Sequence, residues 1–160
     1  MSNIAPQRPR GAFTSRRTFT IVASQYNQEY VKGLTDAVCD ELAIISPKSI
    51  VTVVEVPGAF EIPVVLQEVA YKGGVDAIIA LGVIIKGQTD HAELIGRTIT
   101  DSLQNIALRF RIPVIHEVLL VDSEEHARAR TMEVENNRGT EAARAALAIA
   151  HIMSLVKVAN

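Results

Sequence analysis

The sequence has no tryptophan, a single cysteine and only 4% aromatic residues among its 160 residues. The one cysteine, Cys39, cannot form a disulfide within the chain, so we expect a reducing, cytoplasmic setting. No apolar run approaches the roughly 18 residues that a membrane-spanning helix requires. The formal net charge of −2 favours neither nucleic acid nor an anionic membrane as the main partner.

The N-terminal segment has no acidic residue before Glu29, and its charged side chains are all arginines, at positions 8, 10, 16 and 17. Residues 1–17 therefore predict a flexible or partner-bound basic arm. A shortened organellar transit peptide is the alternative, which Pro6, Pro9 and the lack of an amphipathic repeat disfavour. Residues 18–160 then form a single domain, long enough to bury roughly 70% of its unfolded surface.

β-Branched apolar runs alternate along the chain with stretches in which apolar residues recur at helical spacing. The predicted strands are Thr18–Ser24, Ser49–Val56, Ala77–Ile85 and Ile112–Leu120. The predicted helices carry apolar positions over Tyr30–Leu42, Pro63–Tyr71, Asp90–Arg109, Glu124–Arg130 and Thr140–Val156. This alternation predicts an α/β fold in which helices cover both faces of a mainly parallel sheet of four strands.

In a parallel sheet the ligand crevice lies beyond the carboxyl ends of the strands. Four segments follow the predicted strands: Gln25–Asn27, Gly58–Ile62, Lys86–His91 and the residues after Leu120. They contain polar or aromatic side chains, in contrast to the apolar strands before them. We therefore expect these segments to meet and to form the binding site.

The turn Lys86–His91 joins the most apolar strand to a helix. Residues 82–89 come close to a nucleotide-binding P-loop, but Gln88 stands where the loop needs its lysine, which argues against nucleotide hydrolysis. A phosphate monoester at residues 87–90 requires less, since helix N-terminal amides, the Thr89 hydroxyl and a nearby cation are sufficient. The alternative is an ordinary helix cap by Thr89 or Asp90. His91 is the best candidate for a general acid or base, because imidazole titrates near ~6.5.

The remaining histidines and arginines leave alternatives open. No spacing among the four histidines indicates a metal site. Arg128, Arg130 and Arg138 either form surface salt bridges with nearby glutamates or clamp a phosphate.

Three separated motifs carry a specific resemblance: VPGAFEIP (Val56–Pro63), ALGVIIKGQTDH (Ala80–His91) and NNRGTEAARAAL (Asn136–Leu147). Their order and spacing resemble the lumazine synthase family over about Thr18–Lys157. The resemblance implies a flavodoxin-like three-layer α/β/α sandwich with a four-stranded parallel sheet. It also implies pentamers, or multiples of pentamers, with active sites between neighbouring subunits, and riboflavin synthase as a further partner.

The implied reaction belongs to riboflavin biosynthesis. It condenses 5-amino-6-(D-ribitylamino)uracil with 3,4-dihydroxy-2-butanone 4-phosphate to 6,7-dimethyl-8-ribityllumazine, phosphate and water, without metal or cofactor. The resemblance makes His91 the proton-transfer residue and Arg130 a phosphate ligand from the adjacent subunit. The residues that it implies for substrate binding are Tyr26, Asn27, Gly58, Ala59, Phe60, Glu61, Ile62, Val83, Ile84, Ile85, Gly87, Gln88, Thr89, His116 and Arg138.

Within that set, each group has an expected task. Tyr26 stacks on the pyrimidine ring, and residues 59–62 hold the ribityl chain, with Glu61 accepting from its hydroxyls. Residues 83–85 flank the heterocycle and residues 87–89 hold the phosphate. The neighbouring subunit supplies His116 and Arg138, the latter where the family usually has lysine.

The sequence departs from the family pattern at several positions. Asp90 stands where proline is common and Ala92 where phenylalanine is common, while His116-Glu117 replaces a frequent Phe-Gly. We predict that the Asp90 side chain points outward and caps the helix. The departures motivate an alternative function, a catalytically weak homologue that binds flavin or lumazine; a purely structural shell protein is a third hypothesis.

Overall fold

β-Branched apolar runs form the two inner strands of the sheet, because only strands covered on both faces can bury every side chain. The computed structural model describes residues 7–8, 15–88 and 90–158. Four parallel strands lie in the order β2-β1-β3-β4. The strands are β1 (Thr18–Ser24), β2 (Ile50–Val56), β3 (Ala77–Ile85) and β4 (Val114–Val121).

Helices cover both faces of this sheet. They are α1 (Gln28–Ile45), α2 (Ile62–Lys72), α3 (His91–Phe110), α4 (Glu124–Thr131) and α5 (Arg138–Val158), with a short 3₁₀ turn at Ala59–Glu61 before α2. One apolar core lies between the sheet and α1 and α5, and the other between the sheet and α2 and α3. The predicted flavodoxin-like, three-layer α/β/α sandwich is confirmed.

The predicted elements agree closely with the observed ones. β1 and β3 have the predicted bounds. Pro63 lies in the first turn of α2, as expected for a residue without an amide proton, and Gly73 ends that helix with a φ of 68°. Ser123 caps α4 by accepting from the His126 amide over 3.2 Å.

The start of α5 differs from the prediction of a loop through Gly139. The helix begins at Arg138 because the Asn137 side chain, just before it, accepts from an amide in the first turn that has no partner within the helix. Its side-chain oxygen accepts from the Gly139 amide over 2.8 Å, and its side-chain nitrogen donates to the Thr131 carbonyl over 2.6 Å. Asn137 is buried, so these bonds tie the end of α4 to the start of α5.

The predicted basic arm lies mostly outside the described residues, as does Thr89. Of its three described arginines, Arg8 and Arg17 form hydrogen bonds to the domain. The Arg8 guanidinium forms two hydrogen bonds of 2.9 Å to the buried carboxylate of Glu41. Arg17 bonds Asp76 over 3.1 Å and Ser154 over 3.0 Å. The flexibility of residues 1–17 as a whole stays a prediction.

Within the described part of the chain, none of the helices is both long enough and apolar enough to cross a membrane.

Helices α1 and α5 approach so closely that glycine is required at their contact. A Cβ built on Gly139 would lie 2.3 Å from the carbonyl oxygen of Leu34. We predict that Gly139→Ala lowers the free energy of unfolding by about 1–3 kcal/mol, the usual cost of overpacking, because a backbone atom cannot move aside easily. Urea denaturation measures this change. Gly96→Ala in α3 is the matched control, since its Cβ meets nothing closer than 3.6 Å.

Candidate active site

Hydrogen bonds tie together the ends of three strands. The Gln25 amide, just after β1, donates to the Val56 carbonyl at the end of β2 over 2.8 Å. The Asn27 side chain donates to the Val83 carbonyl of β3 over 2.8 Å. Asn27 has a φ of 56°, a conformation that asparagine tolerates better than most residues. These bonds hold the three strand ends around one cavity.

The cavity has a volume of about 530 Å³. Its lining consists of Tyr26, Asn27, Gly58, Ala59, Phe60, Glu61, Val83, Ile84, Ile85, His91 and Ile95. Two aromatic residues of this lining are largely exposed, Tyr26 at 75% and Phe60 at 59%. Exposed rings beside an apolar cavity provide surfaces on which a planar ligand can stack.

The predicted meeting of the strand ends is confirmed for the segments after β1, β2 and β3, which share this cavity, whereas the residues after Leu120 do not line it. Of the residues predicted after β2, Ile62 does not line it. Ile62 is fully buried in the core under α2, and Ala59 of the preceding turn packs against the same core. Ile95 lines the cavity although it was not predicted. Its spacing of four residues from His91, which places both on one side of α3, was the available signal.

The turn after β3 is open to solvent. Gly87 and Gln88 are exposed, and Asp90 occupies the N-cap position of α3. The Asp90 side chain is also exposed, but it makes no capping hydrogen bond, so the prediction that it caps the helix is wrong. The physical reason is its backbone: φ −69° and ψ 2° are not the extended angles that let an N-cap side chain reach back to the helix amides.

Lys86, at the start of this turn, is a cation that the sequence interpretation did not assign to the site. Its ammonium group lies 2.9 Å from Asp122 after β4 and 3.3 Å from Glu93 in α3. These carboxylates, Asp122 first, raise the pKa of Lys86. The lysine thus links the turn to the residue that follows β4 and to the first turn of α3.

Two adjacent polar residues of β4 have different partners. The His116 ring lies 2.8 Å from the Thr100 hydroxyl of α3 and is partly buried, which lowers its pKa. Glu117 is buried and accepts two hydrogen bonds from Arg138, at 3.1 and 3.2 Å. Burial raises the pKa of Glu117, while the Arg138 charge acts in the opposite direction. Arg138 also pairs with Glu141.

The sequence model of the family described as 6,7-dimethyl-8-ribityllumazine synthase matches residues 16–154. The chain belongs to the 6,7-dimethyl-8-ribityllumazine synthase family. Curated proteins of that name are similar to it. The one from Paraburkholderia phymatum is 41% identical over 82% of this chain and 75% of the relative, and the one from Burkholderia multivorans is 40% identical over the same shares. The one from Azoarcus is 37% identical over 86% of both chains.

Among solved structures, the chain is similar to a de novo designed Rossmann fold protein. The TM-score is 0.39 at 14% identity, over 70% of this chain and 90% of the designed one. That likeness is too low to bear on function.

The lumazine synthase pattern predicts further site residues that do not line the cavity of the single chain. Arg130 is exposed on α4, His116 contacts α3, and Arg138 is engaged by two carboxylates. Their contacts with substrate stay predictions, as do those of Gly87 and Gln88; Thr89 lies outside the described residues. Within the described ranges, no group of three histidine, cysteine or acidic side chains could hold a metal ion.

Proposed function

We propose that this protein condenses 5-amino-6-(D-ribitylamino)uracil with 3,4-dihydroxy-2-butanone 4-phosphate to 6,7-dimethyl-8-ribityllumazine. One observation carries the proposal: a chain of this family joins exposed aromatic rings, a carboxylate and a histidine around a single cavity, at Tyr26, Phe60, Glu61 and His91. A uracil ring can stack on an aromatic side chain, and a ribityl chain can donate hydroxyl protons to a carboxylate.

The chemistry needs little beyond these groups. Imine formation, phosphate elimination and ring closure all move protons, but none requires a strong nucleophile from the protein. One imidazole, at His91, together with correct positioning of two substrates can therefore be sufficient. The phosphate would lie at Gly87 and Gln88 with Thr89, where the first amides of α3 and its positive dipole end favour an anion.

The cavity of one chain lacks a cation that could bind this phosphate, among the residues that line it. Lys86 beside it is engaged by Asp122 and Glu93. We therefore propose that a neighbouring copy supplies Arg130, with His116 and Arg138 close by, in a pentamer or a multiple of pentamers. Sedimentation analysis tests the assembly. A cytoplasmic location and an association with riboflavin synthase remain predictions from the sequence.

Incubation of the purified protein with both substrates tests the function. We expect lumazine absorbance and fluorescence to appear with release of one phosphate per product. Binding of lumazine or riboflavin without any product would overturn the proposal in favour of a catalytically weak binding homologue.

Replacement of Arg130 tests the phosphate site. We predict that Arg130→Ala raises KM for the butanone phosphate most, by about 10-fold or more, because a charge-assisted contact to a dianion is lost. Arg16→Ala is the control, since Arg16 precedes β1 and so lies at the opposite end of the sheet. An unchanged KM in the Arg130 variant would contradict the assignment and make the neighbouring Arg128 the next candidate.

A further inference from the structure

The His116 ring has a hydrogen-bonding partner at each nitrogen. Its Nδ1 lies 3.2 Å from the backbone nitrogen of Val118 in its own strand. Its Nε2 lies 2.8 Å from the Thr100 hydroxyl oxygen. That hydroxyl in turn lies 2.8 Å from the Gly96 carbonyl oxygen, one turn earlier in α3.

These contacts fix where the protons are. A backbone N–H can only donate, so Nδ1 of His116 must be unprotonated and accept. A carbonyl can only accept, so the single hydroxyl proton of Thr100 points to Gly96. The hydroxyl oxygen must then accept from the ring, and Nε2 of His116 must carry a proton. The result is a directed chain from Nε2–H to the Thr100 hydroxyl and on to the Gly96 carbonyl.

We propose that Thr100 is a positioning residue that fixes His116 as a neutral ring protonated on Nε2 alone, so that His116 contributes its ring and no proton transfer. The catalytic part of this inference rests on the proposed function. An imidazolium ion would need acceptors at both nitrogens, and Nδ1 faces a donor instead. Burial of the ring disfavours the charged form as well.

The arrangement also separates His116 from its acidic neighbour. Glu117, the next residue of β4, is paired with Arg138 of α5, whereas His116 is bonded to α3. Because successive side chains of a strand point to opposite faces, the carboxylate does not lie against the imidazole. Of the two histidines predicted at the site, only His91 lines the cavity and remains for proton transfer.

Nitrogen NMR of the protein with ¹⁵N-labelled histidine tests the first half of the inference at neutral pH. We expect the His116 signals of a single neutral tautomer with the proton on Nε2. Thr100→Val keeps the side-chain shape but removes the acceptor and leaves the ring held only by the Val118 amide. We expect the ring to rotate away from that amide and to show the averaged shifts of exchange between tautomers. Thr100→Ser retains a hydroxyl and should restore the original signals. A proton on Nδ1, or on both nitrogens, in the unaltered protein would overturn the proposal.

Kinetics in two backgrounds test the second half. We expect Thr100→Val to raise KM for the ribitylaminouracil about fivefold, the usual effect of one lost hydrogen bond, with a smaller change in kcat. In a His116→Phe background, where no ring nitrogen needs an acceptor, Thr100→Val should change KM less than twofold. An equal loss in both backgrounds would overturn the positioning role. Because the NMR result requires no turnover, an enzyme that makes no lumazine would refute the proposed function without affecting the tautomer.

Discussion

Replacement of His91 by alanine is expected to slow lumazine formation by up to about 10²- to 10⁴-fold, the range for general acid–base groups. His91 is the first residue of α3 and the histidine that lines the cavity, and its ring is exposed there. Loss of the imidazole removes the group best able to accept and return protons near neutral pH. The effect should lie towards the lower end of the range, because the butanone phosphate is itself reactive.

The measurement is kcat at saturating concentrations of both substrates. His126→Ala is the matched control: this histidine lies on α4 with its side chain 58% exposed and outside the cavity lining, so its loss should leave kcat within twofold. A change of less than twofold in His91→Ala would show that the protons move through water or substrate alone. The role assigned to His91 would then be abandoned.

Replacement of Arg138 by methionine should lower the free energy of unfolding by about 3–5 kcal/mol, the usual cost of leaving a buried charge without its partner. Glu117 is only 6% exposed and receives two hydrogen bonds from Arg138. Methionine keeps much of the arginine volume, so the main loss is the charge. Urea denaturation of the two proteins gives the difference, and Arg128→Met on the surface of α4 is the control.

The loss should depend on pH, with a sign that the structure dictates. Burial raises the pKa of Glu117, so the folded protein holds that proton more tightly than the unfolded chain does. Stability from this group is therefore present at low pH and falls as pH rises through the folded pKa. Without Arg138 the pKa should rise further, and Arg138→Met should be less destabilising near pH 5 than near pH 8.

A second substitution separates this structural role from phosphate binding. Glu117→Gln removes the charge that Arg138 neutralises, so we expect it to recover part of the stability lost in Arg138→Met. If Arg138→Met instead kept its stability and raised KM for the butanone phosphate, Arg138 would be a phosphate ligand, as the family resemblance implies. Either result decides between the two roles of this arginine.

Much of the fold could be predicted because the signals are local. The continuous apolar run of β3 and the breaker pair Gly73-Gly74 each act within a few residues, so the bounds of β3 and the end of α2 follow from composition and periodicity. The cavity could also be predicted, since parallel strands bring their carboxyl ends to one edge of the sheet.

The predictions about Asp90 and the loop before α5 were wrong for a common reason. Both depended on whether a short polar side chain bonds to a nearby backbone group, which the sequence leaves open. Asp90 lacks the extended backbone angles of a capping residue and does not cap α3. Asn137 reaches both the Thr131 carbonyl and the Gly139 amide, and it extends α5 to Arg138. The backbone angles decide such bonds: Ser123, which caps α4, has a ψ of 165°, whereas Asp90 has a ψ of 2°.

The sequence by itself determined the alternation of strands and helices, the polar turn after the most apolar strand, and the position of His91 at that turn. Tertiary structure alone decided which partner each remaining polar group received: Thr100 for His116, and Arg138 for Glu117 across 21 residues of chain. Periodicity arises from backbone geometry and is visible in any short window. A buried polar group, by contrast, must bond to whichever group the packed helices bring within about 3 Å, and that neighbour is set only when the whole sheet has its covering layers.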